Sequence, residues 1–158
     1  MSAYIYAIIP YKSYFIFDTK EPYPCVWGFV PPELKGIDSE FTEADGLELF
    51  ADFLMINTCQ RLSAFTNNKD GYNRMRADIC KIATALGAKE VWYAEELATD
   101  EMDGWDFSFD EWVNSLKNEN RKYVAELNVD VLKGNKVYSY YHDDFSDIIM
   151  ENPKRNKH

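Results

Sequence analysis

The chain has 158 residues, 46% of them hydrophobic and 28% charged, a composition that builds one globular domain and argues against disorder. Its 17 Lys and Arg stand against 27 Asp and Glu, a net charge of −10, which excludes a protein that grips nucleic-acid phosphates with a basic face. Nothing approaches the run of about 18 apolar residues that a membrane helix needs.

Residues Met1 to Phe17 are apolar, but Pro10 and Lys12 interrupt them and no basic region precedes them, so a secretory signal is not expected. Ala3 to Ile9 and Ser13 to Phe17 read as two strands joined at Pro10-Tyr11-Lys12. Cys25 to Val30 is a third, and prolines on both flanks mark it as an edge strand. From Thr42, a capping residue followed by Glu43 and Asp45, the chain reads as a helix to about residue 57. Leu47, Leu49, Phe50, Phe53, Leu54, Met55 and Ile56 surround most of its circumference. A helix apolar on more than one side is central or covered by a second subunit, so this one offers a homodimer contact.

A second helix follows Asp70-Gly71, with Tyr72, Met75, Ile79, Ile82 and Leu86 on one stripe and Gly87 as its stop. A strand follows near 89–94. Ser108 and Glu111 have capping-box spacing, and Phe109, Trp112, Val113 and Leu116 form the apolar face of a short third helix. Ala125, Leu127, Val129 and Val131 then alternate with polar residues, and Gly134-Asn135 is a two-residue turn. The expected hairpin covers 123–142 and sets Leu127 opposite His142. These elements predict one α+β domain over 1–152, with a mainly antiparallel sheet and about three helices packed on one face. Residues 153–158 are expected to form a basic, disordered tail.

Residues suited to catalysis are few. Outside the tail, His142 is the one histidine. A cysteine hydrolase would need Cys59 as nucleophile, His142 as base and Asp143 or Asp144 as orienter, but no spacing joins them. Cys25, Cys59 and Cys80 form no C-x-x-C pair, so neither a zinc site nor a disulfide framework is expected, and three free thiols fit a reducing cytoplasm. A calcium loop aligned on Gly104 would begin at Thr99 and end at Asp110, wrong at both ends. With no phosphate loop either, the sequence predicts no catalytic residue, metal or cofactor.

The segment from Glu95 to Trp112 stands apart. It carries eight acids (Glu95, Glu96, Asp100, Glu101, Asp103, Asp106, Asp110 and Glu111) and no Lys or Arg, while the other 140 residues hold 19 acids against 17 bases. Trp105, Phe107, Phe109 and Trp112 are interleaved with the acids. One reading is a solvated loop whose rings point inward to close the core. The sharper reading is a docking surface, with carboxylates that steer a basic partner and Trp105, Phe107 and Trp112 as the rings that hold it.

The sequence thus predicts a non-enzymatic, acidic, cytoplasmic protein of bacterial immunity or inhibitor type that neutralises a basic toxin or nuclease. It predicts no nucleic-acid or membrane partner. Two rivals come from other classes. One is an enzyme or small-ligand domain with an aromatic pocket near His142, built from Trp92, Tyr138, Tyr140 and Tyr141. The other is an oligomeric structural or phage-type component that uses the 42–57 helix.

Overall fold

Tyr4–Pro10 forms β1, and Ile5, Ala7, Ile8 and Ile9 within it are all fully buried. Successive strand residues point to opposite faces, so a strand buried at consecutive positions must be covered on both sides. The computed structural model describes residues 4–13, 25–95, 108–118, 123–124, 127–128 and 140–148. Besides β1 it contains β2 (Cys25–Trp27), β3 (Leu47–Phe50), β4 (Phe53–Arg61), β5 (Val91–Glu95), β6 (Tyr123–Val124) and β7 (Tyr140–Asp143). Two α-helices, α1 (Lys69–Ala85) and α2 (Phe109–Asn118), pack on the sheet. The strand order is β2-β3-β4-β1-β5-β7-β6, antiparallel throughout except for the parallel β6–β7 pair at one edge. The architecture is a single α+β domain.

The helices lie on opposite faces, not on one. Tyr72, Met75, Ile79 and Ile82 of α1 share a core with Ile5, Ala7, Ile9, Leu54, Ile56, Val91 and Tyr93. Phe109, Trp112, Val113 and Leu116 of α2 share a second core with Ile8, Phe53, Trp92, Ala94 and Tyr140. The physical reason is the composition of β1 and β5: both are apolar on each face, and a single helical layer would leave one face wet.

The helix expected over 42–57 does not exist. A short 3-10 turn at Ala44–Gly46 leads into the β3–β4 hairpin, with Leu47 paired to Ile56 and Leu49 to Leu54. Thr42 bonds back to the carbonyl of Ser39 rather than capping a helix. Leu47, Leu49, Leu54 and Ile56 enter the α1 core, while Phe53 enters the α2 core with Phe50 and Met55 against it. A segment apolar on all sides is therefore a pair of strands with both faces covered. The expected homodimer contact loses the helix on which it rested, and the helices number two rather than about three among the described residues.

The other local expectations fare better. The stripe on α1 is buried as predicted, and Gly87 ends the helix at φ +82°. The start differs slightly: Asn68 caps α1 by accepting from the Gly71 amide at 3.0 Å, and a Cβ on Gly71 would meet that side chain at 2.5 Å. For α2, Ser108 Oγ accepts from the Glu111 amide at 3.3 Å, and Asp52 in the β3–β4 turn accepts from the Phe109 amide at 2.6 Å. The edge position of β2 is as expected.

The start of the expected C-terminal hairpin needs correction. Tyr123 and Val124 pair in parallel with Tyr140 and Tyr141, whereas an antiparallel hairpin would have set 123 near 146. The Leu127 amide does donate to the His142 carbonyl at 3.0 Å, so the expected neighbours meet, but Leu127 belongs to the α1 core while His142 sits on the opposite face against Trp92. The Gly134-Asn135 turn, residues 14–17 of the second N-terminal strand and the 153–158 tail lie outside the described residues.

Candidate functional site

The predicted segment is described at its two ends. Glu95 closes β5, opposite Ile5, so its side chain is half-buried on the α1 face rather than spread into solvent. Burial raises its carboxyl above the ordinary carboxylate range, and a hydrogen bond from Tyr141 opposes that shift more weakly. A carboxylate held this way favours the fold most when protonated, below about pH 4, and costs stability as pH rises through its elevated folded value. Glu95→Gln keeps the hydrogen-bonding shape without the charge. It should raise stability at pH 7 only slightly, because water screens a half-exposed carboxylate, with the gain closing near pH 4. Thermal melts at the two pH values check this; a glutamine variant less stable at pH 7 would refute it.

At the other end, Asp110 and Glu111 are exposed on the first turn of α2, where negative charge favours the helix. Trp112 is only 4% exposed. Its ring packs edge-on against Trp92 at 5.9 Å and Tyr140 at 5.5 Å, and Phe109 is tilted against Phe53 at 6.3 Å. Trp112 is therefore a core residue and not an exposed anchor. Glu96, Asp100, Glu101, Asp103, Trp105, Asp106 and Phe107 lie outside the described residues, as does most of the calcium-loop alignment on Gly104.

The residues that a cysteine hydrolase would need are not assembled. His142 Nε2 sits 3.0 Å from Glu90 Oε2, and its ring packs on Trp92 at 4.8 Å. Cys59 is on β4, three strand spacings from β7, or at least about 14 Å at 4.8 Å per step. Asp143 is committed elsewhere, and Asp144 turns back to accept from the Ser146 amide at 3.0 Å. Trp92 and Tyr140 are buried under α2 and Tyr141 under the α1 layer, while Tyr138 is outside the described residues. Among the described residues no group of three His, Cys, Asp or Glu side chains could hold a metal ion, and no helix is long and apolar enough to cross a membrane.

Sequence reasoning missed two features. The first is Arg76, 5% exposed in the middle of α1. Its Nε and Nη2 donate to Asp143 at 2.7 and 2.8 Å, and its Nη1 and Nη2 donate to Asp147 at 2.8 and 2.7 Å. Two carboxylates thus clamp one guanidinium and tie α1 to the end of β7. The Tyr72 and Tyr93 hydroxyls are buried in the same region and meet no hydrogen-bond partner among the described residues; burial raises both phenols. A signal was present, since 72, 75, 76 and 79 is a helical stripe that puts Arg76 on the buried side.

The second is a bulge in β4. Tyr4 pairs with Arg61 and Tyr6 with Asn57, so Ile5 alone opposes Thr58, Cys59 and Gln60. Thr58 Oγ1 donates to the Ile5 carbonyl at 2.8 Å, Asn57 Oδ1 accepts from the Cys59 amide at 2.9 Å, and Cys59 takes φ +55°. Bulges re-aim side chains at sheet rims. Here exposed Cys59 faces a cleft of about 200 Å³ shared with Glu40, Glu43, Asp45 and Gln60.

Compared with protein-family models, with curated proteins and with solved structures, the chain matches none.

Proposed function

We propose that this chain is a non-enzymatic acidic binding protein of immunity or inhibitor type, which neutralises a basic partner such as a toxin or nuclease through residues 95–111. The observation that carries the reading is the division of labour along the segment. Phe109 and Trp112 are consumed by the core, so α2 is fastened to the sheet. Glu95 belongs to β5, so the chain between 96 and 107 joins two packed elements. Asp110 and Glu111 face solvent at its end, and five further acids with Trp105 and Phe107 lie between. A fixed frame lowers the ordering cost of a charged contact, and concentrated carboxylates accelerate encounter with a cationic face.

The partner would be identified from the native host as a protein released from the immobilised chain by high salt. The test is its association rate with the purified chain, which should fall at least about tenfold between roughly 50 and 300 mM salt. Asp100→Asn, Glu101→Gln, Asp103→Asn and Asp106→Asn combined should reproduce most of that fall. A rate insensitive to salt, or unchanged in the neutralised variant, would overturn the proposal.

A further inference from the structure

Trp27 departs from the pattern of the other described aromatic residues. It is 68% exposed, and the other large apolar side chain exposed among the described residues, Val30 at 39%, follows three residues later, beyond the turn at Gly28. Its indole is nonetheless fixed in place: Nε1–H donates to the Asp45 carbonyl at 3.1 Å. Trp27 also stands at the end of β2, directly across from Glu48 on β3. A large ring that is both exposed and tethered presents apolar area while losing little further freedom on binding.

The cleft beside it has one sign of charge. Asp45, which holds the indole, also lines the cleft at the β4 bulge together with Glu40 and Glu43, and no Lys or Arg lines it among the described residues. All three acids are exposed, and none forms an ion pair among the described residues. A phosphate-bearing partner or an anionic membrane would be repelled here. A cation gains twice, from the carboxylates and from the indole face.

We propose that Trp27 and the neighbouring Glu40–Asp45 cleft form a docking surface for an arginine-bearing segment of a partner protein. One guanidinium stacks on the exposed indole and another enters the cleft. Arginine suits the surface better than lysine because its planar fork stacks on a ring and meets carboxylates through two parallel hydrogen bonds. The inference shares with the proposed function only the sign of the partner's charge; the residues are different, and the two stand or fall separately.

The test titrates the full chain with a hexa-arginine peptide, following the Trp27 indole N–H by NMR and affinity by calorimetry. The Trp27 resonance should shift, Trp27→Ala should weaken binding by about tenfold, and Glu43→Gln with Asp45→Asn by about fivefold. Hexa-lysine should bind more weakly than hexa-arginine. Absence of binding, or binding unchanged in Trp27→Ala, overturns the inference. Binding lost on neutralising Asp100, Glu101, Asp103 and Asp106 but kept in Trp27→Ala also overturns it, while favouring the proposed function. The opposite outcome supports the Trp27 surface alone. A Trp27 resonance that moves with phosphatidylglycerol vesicles and not with peptide assigns the surface to lipid and refutes the proposal.

Discussion

Arg76→Ala should lower the free energy of unfolding by about 3–5 kcal/mol, the cost of leaving a buried charge without its partner. The carboxylate left behind is Asp143, 3% exposed and bound to Arg76 through both oxygens. Asp143 Oδ1 also accepts from the Phe145 amide at 3.0 Å, where the chain turns through a positive φ of 58°. Loss of the guanidinium therefore strands a charge and loosens the exit from β7. The double variant Arg76→Met with Asp143→Leu should recover most of the loss, because an apolar pair of similar volume removes both charges from the interior. Urea denaturation of the three proteins gives the comparison; a single variant within about 1 kcal/mol of wild type would show that the clamp is not needed.

Asp147 behaves differently within the same clamp. Its side chain is 66% exposed, so water screens the interaction and its share of the stability stays below about 1 kcal/mol. The Arg76 hydrogen bond still holds its carboxyl below the ordinary range. A depressed carboxylate stabilises the fold above its unfolded pKa, about 3.9, and the contribution disappears as pH falls through the lower folded value. Wild type should thus lose the Asp147 share on acidification below pH 4, and Arg76→Ala should lack that component.

Trp112→Ala should cost about 3–5 kcal/mol and release α2 from the sheet. The indole fills the space between Trp92, Phe109 and Tyr140, at centroid distances of 5.9, 5.9 and 5.5 Å, in a core that holds nine of the described residues. Among the described residues that core is the smaller of the two, so one large ring is a large fraction of it. Trp27→Ala is the matched control: it removes the same side chain from a mostly exposed site and should change stability by no more than about 0.5 kcal/mol. Equal losses in the two variants would contradict the burial difference. The pair also separates packing from recognition, since Trp112→Ala should weaken any partner contact at 95–111 only by unfolding its frame.

Much of the fold is legible in local pattern. The stripe from Tyr72 to Leu86 and the Ser108–Glu111 cap each specify an element through residues within four positions of one another, and both elements form. The β3–β4 hairpin was illegible for a definite reason. Phe53-Leu54-Met55-Ile56 has no polar interruption, and such a run is equally a buried helix or a strand covered on both sides. Two readings of the acidic segment, rings outward or rings inward, were likewise equivalent in sequence; Phe109 and Trp112 are inward.

What the amino-acid order determined alone is the uneven distribution of charge, the helices at 69–85 and 109–118, and the strand character of 4–10 and 91–95. These depend on composition and on contacts between near neighbours. The tertiary structure decided the rest: that the helices take opposite faces, that β6 runs parallel to β7, that Arg76 finds Asp143 across 67 residues, and that Trp27 stays outside while Trp112 goes in. Each depends on which distant surface covers a given face. A side chain carries no local mark of that, because burial is a property of the assembled layers and not of the residue.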